Sequence, residues 1–170
     1  MYYLQRITTE YEEIEDRFKL TVMSEKGEKM SFWMTQRLLT RLSKACIEWI
    51  ENQSPDIAKK VANTESRDTA LGLVQQSAKN QIRKEKRVEA ESSSPNILVK
   101  EVDLKFAENG IEFIFKEGTN RFVLVLNTHH LRQWLAIIYS LWHKAEWPDS
   151  HWPKWINTEG AKITTSKLVH

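Results

Sequence analysis

"ILVKEVDLKFAENGIEFIFKEGTNRFVLVLNT", residues 97–128, alternates apolar and polar side chains through three runs, then gives way to the helical spacing of "HHLRQWLAIIYSLWH", residues 129–143. In the first run Val102, Leu104 and Phe106 fall on one face and Glu101, Asp103 and Lys105 on the other, the period of a half-buried β-strand. Asn109-Gly110 supplies two residues suited to the positive φ of a type I′ hairpin turn. A two-residue loop there predicts Phe106 opposite Phe113 and Leu104 opposite Phe115, all on one face. "KEGTN" is a second turn and leads to a third strand from Arg121 to Leu126. Thr128 is the expected N-cap of the helix that follows. Its apolar stripe runs through Leu131, Trp134, Leu135, Ile138, Leu141, Trp142 and Ala145.

The same pattern recurs earlier in the chain. "RFKLTVMSEKGEKMSFWMT", residues 17–35, alternates Phe18, Leu20 and Val22, turns at Gly27 and ends on a cap residue, Thr35. Leu38, Leu42, Ala45 and Trp49 then match Leu131, Leu135, Ile138 and Trp142, and a further strand is expected near "YYLQRIT". The expectation is an α+β fold of two antiparallel β-meander-plus-helix units, an internal repeat arranged about a pseudo-two-fold.

The units occupy residues 1–52 and 97–146, with a connector at 53–96, a Trp-rich strap and tail at 147–170, and one compact domain overall. Pro55 ends the first helix near Asn52, and a long third helix is expected from about Glu65 to Glu91, with Thr64 as its cap and Leu71, Val74, Ala78 and Ile82 as its stripe. On that helix Lys79, Arg83, Lys86 and Arg87 would share one basic face, which reads either as a phosphate-contacting ridge or as a solvated face diluted by Glu85, Glu89 and Glu91.

Composition narrows the function classes. The chain of 170 residues is 41% hydrophobic and 28% charged, with a net charge of +2, so nucleic-acid binding would have to rest on a local patch. Cys46, the single cysteine, excludes an intramolecular disulfide and reads as a small buried hydrophobe. No signal-peptide pattern opens "MYYLQRITTEYEE", and the most apolar run, "WLAIIYSLW", is too short to span a bilayer, so a cytoplasmic protein without membrane attachment is expected.

Three of the seven tryptophans, Trp147, Trp152 and Trp155, crowd "EWPDSHWPKW", where Pro148 and Pro153 oppose a helix. Such a strap can seal the core, anchor a protein interface, or stack unpaired bases with Lys154 beside it for phosphate. His129, His130, His143 and His151 show no metal-site spacing and read as structural or surface residues. The acidic stretch "EYEEIED" lacks the rhythm of a calcium loop. No phosphate-cradling glycine loop, nucleophile elbow or zinc spacing is present, and neither metal nor cofactor is expected.

The element order is similar to the sheet-then-helix repeats of Whirly and PUR-type single-stranded nucleic-acid binders, a resemblance that rests on no motif. It implies basic and aromatic residues on an open sheet face, whereas the outward positions Lys19, Thr21, Asp103, Lys105 and Glu112 are mixed in sign. Two functions follow as expectations. The first is a non-enzymatic interaction or assembly module, pairing with itself or another protein through the strap or the back half of the long third helix, which is expected to project into solvent. The second is a single-stranded DNA or RNA binder using the strap and the basic face.

Overall fold

The computed structural model describes residues 1–53 and 64–157. The break at Pro55 and the tail from residue 158 lie outside them, as does the Thr64 side chain. The chain runs β1 (Tyr2–Glu12), β2 (Arg17–Ser24), β3 (Lys29–Met34), α1 (Gln36–Asn52), α2 (Thr64–Asn80), β4 (Asn96–Leu98), β5 (Val102–Ala107), β6 (Gly110–Glu117), β7 (Asn120–Asn127) and α3 (Thr128–Lys144), with a short 3₁₀ turn at Lys154–Ile156. The fold is a mixed α+β architecture of three helices and one curled sheet, among the described residues.

The two antiparallel meanders, β1-β2-β3 and β5-β6-β7, join into a single seven-stranded sheet of order β4-β3-β2-β1-β7-β6-β5. Two short parallel pairings make the join. Tyr2–Leu4 of β1 lies beside Phe122–Leu124 of β7, and Asn96–Leu98 of β4 lies beside Ser31–Trp33 of β3. Since β4 and β5 sit at opposite ends of the order but only Val99–Glu101 connects them, the ends lie within about 14 Å along the chain. Curling satisfies that tether and gives both meanders one core. Phe32 of β3 meets Phe115 of β6 and Phe122 of β7, with ring centroids 5.0 and 5.3 Å apart.

The alternation read from the sequence sets the inner face. Phe18, Leu20 and Val22 of β2, Ile111, Phe113 and Phe115 of β6, and Phe122, Leu124 and Leu126 of β7 are all buried. The hairpin between β5 and β6 corrects the expected turn. Its last pair is Ala107–Gly110, so the loop is Glu108-Asn109, Phe106 faces Ile111 and Leu104 faces Phe113. A shift of two leaves each side chain on its expected face. Neither loop residue takes a positive φ. Gly110 is needed for another reason: a Cβ there would lie 2.5 Å from the Leu126 carbonyl oxygen of β7.

Thr35 caps α1, its Oγ1 accepting the Leu38 N–H at 3.3 Å. The buried stripe centres on Leu39, Leu42, Cys46 and Ile50, with Leu38 and Ala45 at its half-buried margin. On α3, Leu131, Trp134, Leu135, Ile138 and Trp142 are buried as expected. Its cap is Asn127 rather than Thr128, with Oδ1 accepting the His130 N–H at 2.8 Å. Thr128 is instead tied by its own N–H to the Asn109 carbonyl at 3.0 Å, so the hairpin end fixes where the helix begins.

The long-helix expectation fails beyond Asn80, where α2 ends. Leu71 and Ala78 are buried, but Val74 and Ile82 are exposed. The packed face of α2 carries instead the buried Gln75, whose Nε2 donates to the Arg132 carbonyl at 2.9 Å while its Oε1 accepts from Arg132 Nη1 at 3.3 Å. Residues 83–91 run without helix along the outward side of β1. The Val88 side chain is buried, its N–H donates to Thr8 Oγ1 at 2.8 Å, Arg6 donates to the Lys86 carbonyl, and Arg87 pairs with Glu10. With Val88 the one large apolar residue between Arg83 and Glu91, a helix here has almost no apolar stripe to bury, and docking against the sheet outweighs the high helical propensity of the surrounding Arg, Lys, Glu and Ala. No helix among the described residues is long and apolar enough to cross a membrane.

Candidate functional site

A large opening in the surface, among the described residues, arises where two strands part. β1 pairs with β7 only through Leu4, and its register with β2 shifts between Leu4 and Arg6, a bulge at Gln5. From there β1 and the end of β7 diverge. The first turns of α3 and residues 80–87 close the sides, leaving a cleft of about 1040 Å³.

Part of its lining is aliphatic, with Ile7, Ile137 and the exposed Val125, and part is basic. Arg6, Arg83, Lys86 and Arg87 line it, against one carboxylate, Glu85. Glu10 moderates Arg87, and the Lys86 carbonyl holds the Arg6 guanidinium across the gap. The N-terminus of α3 adds its own positive end, since the first turn, Thr128–Leu131, holds no acid. His129 and His130, both exposed, stand at that end with ring centroids 5.8 Å apart. Trp134 sits deeper, its Nε1 donating to Thr9 Oγ1 at 3.2 Å.

The wall is braced from behind. Gln133 Nε2 donates to the Ala78 carbonyl at 3.1 Å, fixing the end of α2 against α3. The Arg132 guanidinium is buried, lies 5.6 Å from the Trp155 ring centroid, and has its pKa pushed down to about 10 by burial. It serves the packing of α2, α3 and the strap, and does not line the cleft.

Of the basic residues singled out in the sequence, Arg83, Lys86 and Arg87 meet in this cleft, although no helix carries them. Lys79, in the last turn of α2, does not line it. The strap folds back on the core. Trp147 stacks on Phe18 at 5.0 Å and donates to Asp16 at 2.8 Å, and Trp155 donates to Glu51 at 2.9 Å with only 2% of its surface exposed. Trp152 is half-buried against Tyr139 and Trp142, and Lys154 is exposed. Trp147 and Trp155 are thus part of the buried core, and Trp152 packs at its margin.

Arg6, His129 and His130 belong to the site but are not signalled as a group in the sequence. Arg6 lies more than a hundred residues before the adjacent His129 and His130, and they share a cleft only because β1 starts beside β7. Two other polar arrangements are structural. Ser43, buried on α1, meets His151 Nε2 at 2.9 Å, and burial holds the His151 pKa below its usual value. Lys116 bridges Glu101 and Asp103 at 2.6 and 2.7 Å, and the bond to Asp103 chiefly raises its pKa. No group of three His, Cys, Asp or Glu among the described residues is placed to hold a metal ion. No family model, curated protein or solved structure matches the chain.

Proposed function

We propose that this protein is a non-enzymatic binding module whose cleft takes a single strand of DNA or RNA. The observation that carries the reading is four cationic side chains beside aliphatic ones in a single cleft, in a chain whose net charge is only +2. Phosphates suit the rim, where guanidinium groups pair with their oxygens. Bases suit the aliphatic lining and the imidazoles of His129 and His130, but only when unstacked, which favours a single strand over a duplex.

The internal repeat belongs to the same proposal. The first strand of each unit lends its start to the last strand of the other, β1 to β7 and β4 to β3. The register differs by one residue from the Leu42–Leu135 and Trp49–Trp142 matches expected from the sequence: buried positions Leu39, Leu42, Ser43, Cys46 and Ile50 of α1 each lie 92 positions before Leu131, Trp134, Leu135, Ile138 and Trp142 of α3, as do the caps Thr35 and Asn127. These correspondences support two units related by a pseudo-two-fold.

Fluorescence anisotropy with labelled oligomers of about 12 nucleotides, at about 50 mM salt, tests the function. Single strands should bind more tightly than the duplex, and Arg83→Glu with Lys86→Glu should weaken binding at least tenfold. An equal preference for duplex, or indifference to the double reversal, would remove the basis of the assignment.

A further inference from the structure

The geometry points to β5 as a self-pairing edge, through which two copies of this chain join their sheets. β5 ends the sheet, and among the described residues its only strand partner is β6. The other end, β4, is three residues long and offers little to pair with, whereas β5 has six.

Backbone direction is favourable. The Lys116 N–H donates to the Glu101 carbonyl at 3.3 Å, in the register that continues through Val102–Phe115. In an antiparallel ladder alternate residues address the same neighbour, so Asp103 and Lys105 also turn their backbone groups toward β6. Val102, Leu104 and Phe106 turn theirs away, toward the open edge. Their side chains share the inner face, and Phe106 is 53% exposed where the sheet runs out.

The strand is also its own complement. An antiparallel copy centred on Leu104 sets Val102 opposite Phe106 of the second copy, and Asp103 opposite Lys105 of the second copy. The two-fold repeats each contact, giving two Val102–Phe106 pairs flanking Leu104 opposite its own copy on one face and two ion pairs on the other. Shifting the centre to Asp103 or Lys105 sets a charged residue opposite its own copy. Asp103 and Lys105 retain 48% and 66% side-chain exposure despite their bonds to Lys116 and Glu112, so both can reach across. Pairing of this kind completes the ladder and covers Phe106 in one step.

Sedimentation velocity of the full chain without nucleic acid, from about 1 to 100 μM, the range of modest interfaces, reads the association. The mass should rise from 20.0 kDa toward twice that value with concentration. Leu104→Pro removes the central outward N–H without touching the β5–β6 ladder, and Phe106→Asp removes an apolar contact at an exposed position. Both variants should stay at 20.0 kDa with an unchanged circular-dichroism spectrum. If Leu104→Pro fails to fold, Phe106→Asp alone decides. A wild-type chain that stays monomeric across the range, or folded variants that dimerise as it does, would overturn the inference.

Discussion

Val88→Asp should release the cleft's outer wall while leaving the rest of the protein folded. Val88 is 5% exposed and is the apolar anchor of residues 83–91. Burying a valine contributes about 1.5–2 kcal/mol, and a carboxylate in the same place would have to be desolvated without a partner. Loss of about 2 kcal/mol raises local opening roughly 30-fold. Hydrogen exchange reads this directly at the Val88 amide, which the Thr8 hydroxyl accepts at 2.8 Å in the closed wall. Trypsin should cut faster at Arg83, Lys84, Lys86 and Arg87, while the melting temperature barely moves, because the inner core is untouched. Oligonucleotide affinity should drop with the wall. Unchanged protection at Val88, or a protein that unfolds as a whole, would refute the view of this segment as a separately docked wall.

Three further outcomes follow from the packing. Asp16 accepts hydrogen bonds from the Trp147 indole and the Tyr11 hydroxyl, and these, the Trp147 bond first, hold its pKa below the usual carboxylate value. A lowered folded-state pKa gives stability present above the ordinary carboxylate range and lost as pH falls through the lowered value, so Trp147 emission should shift at acidic pH, and Asp16→Ala should abolish that step. Gly110→Ala forces a Cβ against the Leu126 carbonyl and should cost about 2 kcal/mol, a fall of roughly 4–8 °C in thermal melts. Cys46 is buried with its thiol pKa pushed up to about 12, so it should react with a thiol reagent only as fast as the protein unfolds.

Local chemistry was legible in the sequence, and long-range geometry was not. The alternation of Phe18, Leu20 and Val22 and the stripe from Leu131 to Trp142 identify buried faces because burial imposes those periods. The joining of both meanders into one sheet rests on two three-residue parallel pairings, too short for any pattern to announce. Gly110 carries a turn signal but answers to a neighbouring strand, and Asn127 outcompetes Thr128 because either side chain can cap. Residues 83–91 look helical by composition, yet Val88 and the partners on β1 draw them flat against the sheet. Three basic residues of the site were thus visible as types, while their meeting with Arg6, His129 and His130 depends on the topology.

The salt dependence of oligonucleotide binding tests the nucleic-acid assignment most directly. With four rim cations engaged, log K should fall against log salt with a slope of about −3, and Arg83→Glu with Lys86→Glu should at least halve it. A slope near zero, or one that the double reversal leaves unchanged, would contradict the claim that this cleft holds the phosphates.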